Sequence, residues 1–308
     1  MKQMEHRLDT PQGTSLYVRG TVPDTPWAVL QIAHGMAEHI QRYDAFAQAM
    51  AEAGIAVYGN DHAGHGRTTD AARYGYLYAT EGWRSLVEDM HALRIWEGER
   101  HPGLPVFLLG HSMGSFLARS YARAHGDALS GLILSGTAGP NPALGLGKLL
   151  ARMEMRRLSP HRPCKLVDAL AFSGNNRPFK PARTAFDWLC SDPAVVDAYI
   201  ADPACGFPFT ATGYRDLFDG LTEISAPDWA DKLRRDVPIL LFSGERDPVG
   251  GMGKGVRWVE ESVRKAGVRD VTCVLYPQGR HEMLNEVNRL EVYALVLDWV
   301  RRVAQPRA

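Results

Sequence analysis

The stretch from Pro105 to Ala118, Pro-Val-Phe-Leu-Leu-Gly-His-Ser-Met-Gly-Ser-Phe-Leu-Ala, narrows the choice of fold more than any other part of the chain. Val106 to Leu109 is a short apolar run of the kind found in the middle of a parallel sheet, and it leads straight into Gly110-His111-Ser112-Met113-Gly114. Phe116, Leu117 and Ala118, followed by Tyr121 and Ala122, then give the spacing of a helix with one buried face. The pattern predicts a strand, a sharp turn with a serine at its apex, and a helix, the context in which G-x-S-x-G lifts a nucleophile above a sheet edge. Glycine is expected at both flanks because a Cβ there would strike the adjoining strand or helix. By itself G-x-S-x-G is a common glycine-rich turn, so partners further along the chain must decide whether this one is catalytic.

Around that unit the chain reads as alternating strands and helices. Glu5 to Gly20 predicts an opening hairpin, Ala28 to Ala33 a buried strand ending in His34-Gly35-Met36-Ala37-Glu38-His39, and Tyr43 to Ala53 a helix stopped by Gly54. Ile55 to Tyr58 is the next strand, leading into Asn60-Asp61-His62-Ala63-Gly64-His65-Gly66-Arg67, and a long helix follows from Glu81 to His101. After the Ser112 unit come a strand over Gly131 to Leu134 and then a break in the pattern. From Pro140 to Asp236 the chain is aromatic and punctuated by proline, with helical stretches at Leu144 to Leu158 and Pro193 to Ile200 and no strand. Alternation resumes with strands at Val237 to Phe242 and Val271 to Tyr276 and helices at Gly255 to Gly267 and Asn285 to Val303. The expectation is an α/β fold: a mostly parallel central sheet flanked by helices in two stretches, 1–138 and 237–308, with a mainly helical lid inserted at 139–236. Following a strand's C-terminal end, the insertion is expected on the same edge as Ser112.

Composition removes several function classes. At 308 residues and 45% hydrophobic the chain can bury a large core, and 35 basic residues balance 35 acidic ones. A zero formal charge is not the footprint of a nucleic-acid binder. Cys164, Cys190, Cys205 and Cys273 form no C-x-x-C pair, and the first residues lack the apolar core of a signal peptide, which predicts a reduced, cytoplasmic protein. No apolar run approaches the roughly 20 residues of a membrane-spanning helix, so contact with lipid is expected only peripherally, through the lid.

A serine hydroxyl is a poor nucleophile at neutral pH and needs a base, which in turn needs an orienting acid. On a sheet of this kind the acid and then the histidine follow later strands. After Ile239-Leu240-Leu241-Phe242 comes Ser243-Gly244-Glu245-Arg246-Asp247-Pro248, and after Val274-Leu275-Tyr276 comes Pro277-Gln278-Gly279-Arg280-His281-Glu282. Asp247 is preferred to Glu245 because it lies past the Gly244 turn and ahead of Pro248, on loop backbone able to point back at His281. His281 to Asn285 approaches the zinc-protease pattern H-E-x-x-H, but Asn285 replaces the second ligand. Two backbone N–H donors are needed for the oxyanion. Met113, next to the nucleophile, and Met36, at the end of a strand expected beside it, are the candidates. His34, His39, His62 and His65, with Asp61, match no standard metal cluster in spacing, and no cofactor is expected. Gly250 to Gly255 lacks the spacing of a phosphate-binding P-loop and reads as a flexible lead into a helix.

These segments together resemble the monoacylglycerol lipase and lysophospholipase branch of the α/β-hydrolases, close to the S33 serine aminopeptidases. The likeness rests on residues 34–39 with Arg42-Tyr43, on Asp61 to Gly66, on the Ser112 turn, on Gly244 to Asp247 and on Gly279 to Glu282. In the insertion it extends through Asn175-Asn176-Arg177, Arg183-Thr184, Phe186 to Leu189, Asp197-Ala198-Tyr199 and Asp202-Pro203 with Cys205-Gly206-Phe207. The resemblance implies a Ser112–His281–Asp247 triad and an oxyanion hole at Met36 and Met113. It also implies that Glu38, Arg42 and His111 line the alcohol end of the pocket. Phe172, Phe179, Phe186, Trp188, Phe207 and Phe209 become candidates for acyl contacts, with at least half expected in the lid's own core. The expected activity is hydrolysis of a small, lipid-like acyl ester, a monoacylglycerol or a lysophospholipid. Two alternatives stay open: a peptidase of the proline iminopeptidase type, its amine held by Glu38 or by Asp187, Asp192, Asp197 or Asp202, and a non-catalytic binding protein on the same scaffold. Oligomeric state is not legible.

Overall fold

The computed structural model describes residues 1–305; the last three positions of the 237–308 stretch lie outside the described residues. The opening hairpin is β1 (Lys2–Asp9) against β2 (Ser15–Val22). Then come β3 (Ala28–Ala33), α1 (Asp44–Glu52), β4 (Ile55–Asn60), α2 (Gly82–Arg100), β5 (Val106–His111), α3 (Met113–His125) and β6 (Gly131–Ser135). The interrupted stretch holds α4 (Leu144–Met155), α5 (Lys165–Phe172), α6 (Pro193–Ala201) and α7 (Ala211–Ile224). The chain closes with β7 (Ile239–Gly244), α8 (Lys254–Lys265), β8 (Val271–Tyr276) and α9 (Arg289–Ala304).

The eight strands form one sheet in the order β1-β2-β4-β3-β5-β6-β7-β8, antiparallel at β1/β2 and β2/β4 and parallel from β4 to β8. The central strands β3 to β7 are buried throughout, so they read as continuous apolar runs. Successive side chains still go to opposite faces. Leu108, Leu132, Leu134 and Leu241 meet α2, α3, α7 and α8 on one side. Phe107, Leu109, Ile133, Leu240 and Phe242 meet α1 and α9 on the other.

The strands and core helices fall where the sequence patterns put them, with α9 starting four residues later than expected, at Arg289. Between β6 and β7 the described residues 140–236 form helices and turns with one isolated bridge, Pro163 to Thr210. Two of the four helices there, α5 and α7, are not visible in the sequence pattern. α7 contains Gly213 and Gly220, which lower helix propensity. Packing overrides them: a Cβ at Gly220 would lie 2.0 Å from the Trp83 indole, so the small residue is what lets α7 dock on α2. No helix among the described residues is long and apolar enough to cross a membrane, and the four cysteines are free thiols.

Candidate active site

Ser112 sits between β5 and α3 with φ 51° and ψ −120°, a backbone conformation costly for a residue with a Cβ. The surroundings hold it there. Ser112 N–H donates to Ser135 O of β6 at 2.9 Å, and both flanking glycines are in close backbone contact. A Cβ on Gly110 would come within 2.2 Å of Gly114 O, and one on Gly114 within 2.0 Å of Ala33 O in β3. The expected steric reason for the two glycines therefore holds, and it locks the turn to two neighbouring strands. Among the described residues the Ser112 hydroxyl has no hydrogen-bond partner, and it faces a cavity of about 670 Å³.

His281 lines the same cavity on the loop after β8, and its Nδ1 lies 3.0 Å from Asp247 Oδ2 on the loop after β7. Both side chains are buried. Asp247 is fixed from both oxygens: Oδ1 accepts from Val249 N–H at 2.9 Å, and Oδ2 also accepts from Ser243 Oγ at 3.2 Å. The competing Glu245 is exposed. Burial works against a charged imidazole, but the Asp247 carboxylate, supported by Glu282 and Glu38, outweighs it and holds His281 above the ordinary histidine range. With Nδ1 donating to Asp247, the unprotonated nitrogen is Nε2. Trp188 lies tilted at 42° against the ring, with centroids 5.1 Å apart, and His111 stands 4.7 Å away. Burial and then the charge of His281 push His111 down to about 4, so it stays neutral where His281 titrates.

Met36 and Met113 line the cavity together with Ser112. Met113 opens α3, so its N–H has no acceptor within the helix. Gly35 packs against the serine, its virtual Cβ 3.2 Å from Ser112 Cβ, and Gly35 N–H donates to Glu38 Oε1 at 2.5 Å. That carboxylate also accepts from Tyr43 OH at 2.8 Å and from Arg42 at 2.7 Å. Glu38 and His111 line the cavity, as the resemblance implies; Arg42 does not. Arg42 stands one layer back, where two bonds of 2.7 Å to Glu282 complete a bridge from the loop after β3 to the loop carrying His281. Burial would raise the Glu282 carboxyl, but the guanidinium dominates and holds it at about 2. Glu282 lines the cavity and is given no role in the sequence, where it enters only as part of the failed zinc pattern and of the Gly279 to Glu282 segment that carries the resemblance.

The stretch between β6 and β7 supplies much of the cavity wall. Phe172, Phe186, Trp188 and Phe207 line it; Phe179 and Phe209 are buried elsewhere. Of the acids considered for an amine, Glu38 alone reaches the cavity. Asp187 caps Arg183 and Thr184, Asp192 caps α6, Asp197 pairs with Arg183 and Asp202 with His39. The insertion is tied to the His281 loop by Glu282 N–H to Leu189 O at 2.8 Å and by Arg280 to the carbonyls of Asp187 and Cys190. His34, His62 and His65 cluster where the loops after β3 and β4 meet, fully buried. Both His34 nitrogens are used, Nδ1–H toward Gly35 O at 2.8 Å and Nε2 accepting from His62 N–H at 2.9 Å, which leaves that ring no lone pair for a metal.

A serine strained above the edge of a doubly covered parallel sheet, with a buried Asp–His pair beside it, places the chain among the α/β-hydrolases. Within them it belongs to the family described as serine aminopeptidase, S33, whose model matches residues 24–288. It is 31% identical over 306 residues to a monoacylglycerol lipase of Mycolicibacterium smegmatis, covering 96% of each chain. It is 30% identical to human monoglyceride lipase, over 91% of this chain and 84% of that one. Among solved structures, a thermostable carboxyl esterase from Bacillus coagulans in complex with glycerol matches with a TM-score of 0.93 at 30% identity, covering 99% of this chain and 100% of that one.

Proposed function

We propose that the chain is a serine ester hydrolase of monoacylglycerols. Ser112 is the nucleophile, His281 the base and Asp247 the acid that orients it. The observation that carries this reading is the 3.0 Å bond from His281 Nδ1 to buried Asp247, beside an unpartnered serine hydroxyl in an apolar-walled cavity. Nε2 of His281 takes the Ser112 proton as Oγ attacks the ester carbonyl. The Met36 and Met113 N–H groups receive the oxyanion, each such donor contributing about 3 kcal/mol. Collapse expels the alcohol, which takes the proton back from Nε2, and water then repeats the sequence to free the fatty acid. Glu38 and His111 face the departing alcohol, and Arg42 is a positioning residue that fixes Glu38 and Glu282. Glycerol bound to the Bacillus coagulans esterase and the names of the two lipases support a glycerol leaving group.

Residues 139–236 act as the lid, and their apolar inner face takes the acyl chain. Leu146, Leu149 and Met153 on α4 and Leu166 and Leu170 on α5 are about half exposed, which supports peripheral contact between this lid and a lipid surface. The peptidase reading, suggested by the family's description, is disfavoured because Asp187, Asp192, Asp197 and Asp202 are spent on turns and ion pairs, and Asp168, on the cavity wall, accepts from Tyr214 OH at 2.6 Å.

The test is hydrolysis of a series of monoacylglycerols beside lysophosphatidylcholine and proline p-nitroanilide. Monoacylglycerol turnover is expected to dominate and to vanish in Ser112→Ala; turnover surviving in that variant ends the proposal, and faster cleavage of the anilide replaces it with the peptidase.

A further inference from the structure

Outside the catalytic cavity, three side chains of different ligand chemistry meet. His39 follows the oxyanion loop, and Asp202 and Cys205 belong to the short turn after α6. One nitrogen, one carboxylate oxygen and one sulfur lie within 4.8 Å of one another, with His39 Nε2 2.8 Å from Asp202 Oδ2. The turn brings its two ligands to one side: Asp202 Oδ1 accepts from Ala204 N–H at 2.8 Å, leaving Oδ2 toward His39, and Cys205 N–H donates to Asp202 O at 3.0 Å. Side-chain exposure is 13% for His39 and 34% for Asp202, so the group is sheltered yet reachable from solvent. Arg42, the nearby cation, is already neutralised by Glu38 and Glu282.

We propose that His39, Asp202 and Cys205 form a zinc-binding site that clips the 139–236 segment to the loop after β3. A mixed N, O and S set suits a borderline ion such as zinc and is wrong for magnesium or calcium, which take six or more oxygens. Bond lengths of about 2.0–2.3 Å require the three atoms to draw in around the ion, with water as fourth ligand. The proton between His39 and Asp202 and the proton of the Cys205 thiol leave to solvent as the metal enters.

The position gives the site a role. Ala37 O already accepts from Gly206 N–H at 2.9 Å and from Tyr199 OH at 3.1 Å, so this is where the insertion is hinged to the oxyanion loop. Ala37, Glu38, Tyr199, Gly206 and Phe207 line the catalytic cavity, while the three ligands stand behind that wall. An ion bound there stiffens the seam, raises the melting temperature and restrains any movement of the insertion. The proposal does not depend on the ester substrate.

The test uses the full chain, reduced and freed of metal with a chelator, titrated with Zn²⁺ by calorimetry and with Co²⁺ by absorption. One Zn²⁺ is expected per chain, and bound Co²⁺ should show a thiolate-to-metal charge-transfer band. Cys205→Ser should abolish that band and weaken Zn²⁺ at least about tenfold, equivalent to about 1.4 kcal/mol. Asp202→Asn should weaken Zn²⁺ similarly but keep the band, and it provides the affinity comparison should the serine variant fold poorly by circular dichroism. Absence of binding, a missing thiolate band in the unaltered chain, or affinity unchanged in the variants would overturn the site; the last outcome would mark an adventitious ion at another histidine or cysteine.

Discussion

The sheet with its packed helices and the stretch between β6 and β7 treat apolar residues in opposite ways. β5 is buried along its whole length and α3 over ten of its thirteen residues, whereas α4 buries only Ala151 and α5 only Val167. In the first region leucines and phenylalanines are satisfied by one another, and the result is a platform that fixes atoms. In α4 and α5 they are divided between the cavity wall and the outside, while α7, in the same stretch, buries eight of its fourteen residues against the platform. Stability and bond-making are thus concentrated in one region and recognition in the other.

The largest test of that division is Asp247→Asn. It removes the charge that orients His281, and kcat for ester hydrolysis should fall roughly a thousandfold or more, with little change in Tm. A comparable loss from an insertion residue facing away from the cavity would break the comparison. Next, Phe242→Ala in β7 should lower stability by about 3–5 kcal/mol in urea unfolding, because it empties a fully buried site between β7 and α9. A third test sharpens the picture of the platform itself. Both carboxyl oxygens of Glu97 are buried without a partner among the described residues, and burial lifts this group from 4.5 to about 8. Its protonated form contributes stability that is complete below 4.5 and is lost as pH rises through 8. Glu97→Gln should therefore stabilise the protein by a few kcal/mol at pH 9 and by almost nothing at pH 4.

Smaller is the shift in the acid limb of kcat/KM. His281 must be neutral to accept a proton and is held above the ordinary 6.5, so the midpoint of the acid limb should lie above that of an ordinary histidine. A limb below pH 6 would contradict the Asp247 pairing. The smallest effect is expected from Leu149→Ser with Leu166→Ser: urea stability should stay within about 0.5 kcal/mol while binding to sedimented lipid vesicles weakens. Unfolding by those two changes would erase the contrast between the regions.

Much of the platform and the placement of the candidate catalytic residues on its loops could be read in advance because each signal is local. A buried strand is a continuous apolar run, and Ser112, Asp247 and His281 each follow such a run. The geometry also decides between Asp247 and Glu245, since one is buried against His281 and the other is exposed. Arg42 illustrates what was hidden. The family resemblance implied substrate contact for it, but its partner Glu282 lies 240 positions away, and only the folded chain reveals that the two carboxylates occupy it fully. α7 was hidden for a related reason: Gly213 and Gly220 argue against a helix locally and are required by its neighbours. Where tertiary packing outvotes propensity, a single sequence carries no trace of the vote.

Leu132 of β6 pairs with Ile239 of its parallel neighbour β7, so the polypeptide leaves one strand at its C-terminal end and enters the next at the opposite end after a long excursion. Closing such an excursion depends only logarithmically on its length, each doubling adding about 0.6 kcal/mol. Trimming or lengthening the part of the excursion that carries α4 and α5 is thus cheap for the scaffold beneath it, whereas α7, packed into the core beside α2 and α3, belongs to that scaffold. Laboratory grafting of a different α4–α5 segment, with α6, α7 and the 186–190 turn kept, should re-specify which esters are accepted and leave the bond-breaking apparatus in place.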